Sequence, residues 1–219
     1  MRDAVAHLAG SDREATKAAT DPELFLRELP AVAADLDGFL RGQLTSRRAL
    51  PADELLQSWQ AGFDAMTAAF AGLAPGTEVP WYGPPMSPAS FSTARLMEYW
   101  AHGQDVADGL GAPRTPTARL RHVCHLGVRT RGFSYVVREL PVPAGDVRVE
   151  LTAPDGSTWA WGQGEDAVTG RALDLCLLVT QRRHRDDLAL VASGPLADSW
   201  LDVAQCFAGP PGSGRARTS

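Results

Sequence analysis

Five histidines, three cysteines and 26 acidic residues are the groups of this chain able to ligate a metal or carry a proton. Their spacing singles out one helix. Glu98 and His102 stand four apart in the run Ala94-Arg-Leu-Met-Glu-Tyr-Trp-Ala-His-Gly-Gln-Asp105. On a helix their side chains lie one turn apart on one face. Asp105, seven beyond Glu98, falls on the same stripe, together with Phe91, Ala94 and Ala101. Leu96, Met97, Trp100, Val106 and Leu110 occupy the remaining sides. A helix apolar on most sides is buried, and a buried carboxylate stacked on an imidazole needs a partner. A divalent metal satisfies both groups, and catalytic zinc takes three protein ligands and leaves one position open. The third ligand must come from another element. His7, between Val5 and Leu8 near the apolar face of the first helix, is the best candidate. The bland reading of the same spacing is a solvated surface pair, since a Glu-x-x-x-His pair is common by chance.

The other clusters carry weaker signals. His122-Val-Cys124-His125 fits no zinc-knuckle spacing, and on a helix Cys124 points away from the two histidines. It reads as a partly exposed amphipathic helix with a buried cysteine. Gln181-Arg-Arg-His-Arg-Asp-Asp187 ends a helix, where cations complement the dipole. Its functional reading is capture of an anionic substrate or thiol cofactor by Arg182 or Arg183. Cys124, Cys176 and Cys206 form no CxxC motif and read as reduced, mostly buried thiols of a cytoplasmic protein. No Walker loop, dinucleotide glycine fingerprint or nucleophile elbow occurs, and Gly162-Gln-Gly164 opens no phosphate loop.

Those residues need elements to hold them. Helical stretches are expected at 2–19, at 21–44 with a kink at Pro30, from Pro51 to about Leu73, and from Ser87-Pro88 to Gly111. The third has the cleanest stripe, in Leu55, Leu56, Trp59, Phe63, Met66, Phe70 and Leu73. A further helix is expected at 119–139, then a hairpin of 147–152 with 157–161 turning at Pro154-Asp-Gly156. A helix at 168–183, a strand near 188–192 and a helix at 195–207 complete the pattern. The fold class is α+β: a helical bundle at 1–112, a small α+β domain at 117–210 and a disordered tail at 211–219.

The chain has 219 residues and a formal net charge of −5. That balance excludes a globally basic nucleic-acid binder. No apolar run approaches the roughly 20 residues needed to span a bilayer, and the charged N-terminal run lacks a signal-peptide core. Neither nucleic acid nor membrane is expected as a partner.

The run VAHLA with Asp12 following, and then WYGPPMSPASFSTARLMEYWAHGQDVADGLG, resembles the metal-binding domain of the mycothiol-dependent maleylpyruvate isomerase family. That family lies within the DinB-like four-helix-bundle superfamily. The second half, RVELTAPDGSTWAWG and VTGRALDLCLLVTQRRHRDD, is similar to its α+β C-terminal domain. The resemblance covers nearly the whole chain and implies a divalent metal, typically zinc, on His7, Glu98 and His102. It further implies a thiol-dependent isomerase or transferase working with mycothiol. An arginine of the C-terminal domain, for which Arg182 is the candidate, would act in catalysis by holding the carboxylate of an anionic substrate. Asp105 or Asp12 would orient a ligand histidine. The different-class alternative is a non-catalytic divalent-metal or thiol-binding protein, and the chain resembles a metal-binding sibling branch more than the isomerases proper. Family members carry a helix before the histidine helix. A bundle lacking it is therefore expected, with an apolar groove along 55–73 and 91–110 and with homodimerisation, aggregation or an upstream extension as its consequence.

Overall fold

The computed structural model describes residues 1–212 and 214–218, and it divides into two compact units, Met1–Gly111 and Ala112–Ser219. Two positions of the tail expected to be disordered, Ser213 and Ser219, lie outside the described residues.

The first unit is helical: α1 (Arg2–Thr20), α2 (Pro22–Ala34), α3 (Leu36–Arg48), α4 (Ala52–Ala71) and α5 (Pro88–Leu110). Polar residues set the breaks. The Asp21 carboxylate accepts from the Leu24 N–H with Pro22 in the first turn, and Ser87 accepts from the Ser90 N–H ahead of Pro88. Both arrangements satisfy amide donors that the first turn leaves unpaired. Gly111, at φ +61°, closes α5 in the left-handed conformation that glycine adopts without strain. The run 21–44 is two helices and not one kinked helix. The break falls at Asp35, whose carboxylate accepts from the Gly38 N–H, while Pro30 sits inside α2. Pro30 is exposed, where water can reach the carbonyl that the missing N–H frees.

α1 is the central helix and packs on α2, α3, α4 and α5. Its buried alanines, among them Ala4, Ala6, Ala9, Ala15 and Ala18, have side chains small enough for neighbouring backbones to approach closely. Around Ala15 and Ala18 the core gathers Phe25, Met66, Val79 and Phe91. The turn-rich loop before α5 contributes to this core. The Val79 and Met86 backbones pair with each other, at 2.8 and 3.0 Å, and Trp81 packs edge-on to Phe91 at 4.7 Å. Of the expected apolar groove, α4 keeps Leu56 and Phe63 exposed, whereas Phe91, Met97 and Trp100 on α5 are buried.

The second unit contains α6 (Leu120–Arg129), α7 (Arg131–Val136), β1 (Val147–Thr152), β2 (Thr158–Trp161), β3 (Asp166–Arg171), α8 (Ala172–Val179), β4 (Val191–Ser193) and α9 (Pro195–Val203), with a 3-10 turn at Arg185–Asp187. The sheet order is β2-β1-β3-β4, with β1 antiparallel to β2 and parallel to β3, and β3 antiparallel to β4. Val147, Val149 and Leu151 alternate into the core. The helix expected over 168–183 is a strand followed by a shorter helix. Residues 166–171 pair along β1, and α8, buried on nearly every side, starts only at Ala172. The expected helix 119–139 also breaks, at Thr130, whose hydroxyl bonds the Leu126 and Gln205 carbonyls.

Candidate metal centre

α1 and α5 bring the singled-out residues together. His7 Nε2 and His102 Nε2 each lie 3.4 Å from the same Glu98 oxygen, Oε2. The two imidazole rings are 4.7 Å apart between centroids and tilted by 49°. One ligand atom from each of the three residues lies within 4.8 Å of the others, the one such group among the described residues. Ligands about 2.1 Å from a tetrahedral ion stand about 3.4 Å apart, the spacing of two of the three pairs here. Two imidazoles and a carboxylate suit zinc and related divalent ions. The donor set and its spacing therefore fit a metal.

The surroundings hold these side chains in place. His102 Nδ1 lies 3.3 Å from Asp105 Oδ2, one turn further along α5. This contact orients the ring so that Nε2 faces Glu98. Ser11 Oγ is 3.5 Å from His7 Nε2. Burial raises the Glu98 pKa, but hydrogen bonds to His102 and His7 and the charge of Arg95 outweigh it. The carboxyl is held well below the usual carboxylate range and is ready to ligate.

Beneath the site lies a polar network that the sequence did not show. Asp12, fully buried on α1, is bonded by Arg95 Nη2 at 2.8 Å and by the Tyr99 hydroxyl. Tyr99 in turn accepts from Trp59 Nε1 at 3.1 Å. Asp12 thus ties α1 to α5, and the charge of His7 also acts on its carboxyl. Burial pushes its carboxyl upward against the pull of Arg95 and Tyr99. Arg95 stands three residues before Glu98 on α5, so helical spacing was the available signal.

A cavity of about 450 Å³ opens beside the rings of His7 and His102. Ala4 and Ala6 of α1 and Leu40 and Leu44 of α3 form much of its wall. Arg182 belongs to the second unit, where its Nη1 donates to the Thr180 carbonyl at 2.6 Å beyond the end of α8. His122 and His125 are exposed while Cys124 is buried, so that run gathers no ligand set. Cys124, Cys176 and Cys206 are buried and form no disulfide among the described residues, and burial pushes the Cys176 thiol up.

The chain has relatives in sequence and in fold. Residues 1–107 match the family model of the mycothiol maleylpyruvate isomerase N-terminal domain. Two uncharacterized proteins, from two strains of Mycobacterium tuberculosis, are each 46% identical over 213 residues, spanning 96% of this chain and 83% of theirs. The chain belongs to the mycothiol maleylpyruvate isomerase family. A crystal structure of a histidine-to-alanine mutant of the mycothiol-dependent maleylpyruvate isomerase superposes with a TM-score of 0.53 at 15% identity, covering 90% of this chain and 80% of that one. At that identity the family likeness extends to the α+β fold, with its helical first half and four-stranded sheet. No described helix is long and apolar enough to cross a membrane.

Proposed function

We propose that this chain binds one divalent metal ion, zinc by its donor set, through His7, Glu98 and His102. We propose further that it works as a thiol-dependent isomerase or transferase with a low-molecular-weight thiol, mycothiol by family membership. The observation that carries this reading is the convergence of three ligand atoms from two helices beside an open cavity. Three protein ligands leave a fourth position for a thiol. A bound zinc would lower the pKa of that thiol and so supply a nucleophile near neutral pH. The chain's own residues do the rest. Glu98 and the two imidazoles fix the ligand geometry, and Asp105 holds the His102 ring. Ala4, Ala6, Leu40 and Leu44 give the cavity an apolar wall for the substrate body, and Arg182 of the second unit is proposed separately as a contact for a carboxylate. In an isomerase, the thiolate would add to an activated double bond and be expelled again after rotation about the single bond so formed, with no net change in the thiol; in a transferase, it would displace a leaving group that departs with the bonding electron pair.

The test is elemental analysis of the purified protein followed by activity assays. Close to one divalent ion per chain is expected, lost in His102→Ala and strongly weakened in His7→Ala and Glu98→Ala. The loaded protein is then assayed with mycothiol against maleylpyruvate and a panel of electrophiles. Absence of metal, or retention of metal in all three variants, overturns the reading. Metal and thiol binding without turnover would make the protein a carrier instead.

A further inference from the structure

The cavity beside the candidate metal centre is lined by five ionisable side chains, and four of them are already engaged. His7 and His102 face Glu98, Asp105 lies on His102 Nδ1, and Asp3 is paired with Arg48. The fifth is Arg41. It is exposed, lines the cavity from α3 next to Leu40 and about one turn before Leu44, and makes no hydrogen bond or ion pair with another described residue. An arginine that lines a concave, largely apolar surface without a counter-ion has its whole donor fork available for a carboxylate. A volume of about 450 Å³ exceeds what a thiol sulfur needs and lies within the ordinary range of small-molecule sites. The alanine and leucine walls suit a hydrocarbon or aromatic body.

We propose that Arg41 is the specificity-determining residue of this cavity, binding the carboxylate of a small acid whose apolar body lies along Leu40 and Leu44. This assignment rests on the metal–thiol reading for its catalytic meaning, but the binding itself does not. It adds an anion contact within Met1–Gly111, separate from Arg182.

Two probes distinguish this proposal from the reading beneath it. Benzoate is titrated by calorimetry into the chelator-treated full-length protein and into Arg41→Gln and Arg41→Lys. Binding by the parent should weaken about tenfold or more in Arg41→Gln, the usual effect of losing a charge-assisted contact, and should recover in part in Arg41→Lys. Separately, cobalt-loaded protein is titrated with 3-mercaptopropionate and 2-mercaptoethanol, following the cobalt absorption. The parent should favour the carboxylate-bearing thiol, and Arg41→Gln should lose that preference while still binding 2-mercaptoethanol. If neither thiol moves the cobalt spectrum but benzoate binding still depends on Arg41, the metal–thiol reading fails and this one stands. If the parent does not bind benzoate, or if Arg41→Gln binds it equally well, Arg41 has no such role.

Discussion

The two ring nitrogens of His102 face different carboxylates, and that division can be measured. Its Nε2 faces Glu98 and its Nδ1 faces Asp105. Replacing Asp105 by asparagine keeps the size of the side chain but removes the acceptor charge that fixes the ring. Metal affinity in Asp105→Asn should fall about 10–100-fold, the usual effect of removing such a partner, with the fold retained. Competitive chelator titration reads this directly, and an unchanged affinity would mean that Asp105 does not orient the ring. Asp12 calls for the opposite kind of experiment. Because Arg95 is itself buried, Asp12→Ala would leave a guanidinium without its main counter-charge. Breaking a buried pair from one side typically costs about 3–5 kcal/mol. Denaturant unfolding should show a loss of that order, and the double variant Asp12→Ala with Arg95→Met should recover part of it. A loss below about 1 kcal/mol would place the pair among weak surface bridges.

At the scale of elements, the end of α8 separates structural from functional use of arginine. Arg182 gives one nitrogen to the Thr180 carbonyl, a cap that a purely structural arginine would also make. If it also holds a substrate carboxylate, Arg182→Ala should leave metal content unchanged and weaken an anionic ligand by about 1.5–3 kcal/mol. Matched losses of stability and of binding would assign it to the helix end alone. How far the sequence disclosed these elements follows from where each signal resides. Glu98, His102 and Asp105 were legible because all three sit on one helix, where spacing alone fixes the shared face. The boundary between β3 and α8 was not, because Ala-Val-Thr-Gly-Arg-Ala-Leu-Asp-Leu-Cys is apolar in a way that fits a buried strand or a buried helix. Parallel pairing with β1 decides it, and that is a tertiary fact. The break at Asp35 was obscured by Pro30, a stronger helix breaker by propensity but one placed where its defect faces water. The cavity wall from α3 was equally hidden, since no local pattern tells which turn of one helix will stand opposite the ligands of two others.

For the whole molecule, the candidate metal centre joins the two ends of the first unit's sequence. His7 and Glu98 are separated by most of that unit, yet they approach within hydrogen-bonding range through α1 and α5. Helices packed around a mostly alanine-lined α1 gain little from large apolar side chains at its centre. A ligand that binds only when both helices are in place then stabilises the folded state by mass action. Zinc at a free concentration 100 times its dissociation constant should add about 2.7 kcal/mol of stability. For a unit of this size that is a rise on the order of 10–20 °C in its melting temperature, at about 4–8 °C per kcal/mol. Calorimetry with and without zinc measures the shift, and His102→Ala is the control, because it removes a ligand while leaving α1 and α5 otherwise intact. Equal shifts in the parent and in His102→Ala would show that the stabilising ion binds elsewhere. A shift in the parent alone would tie its stability to His7, Glu98 and His102, the three side chains proposed to hold the metal.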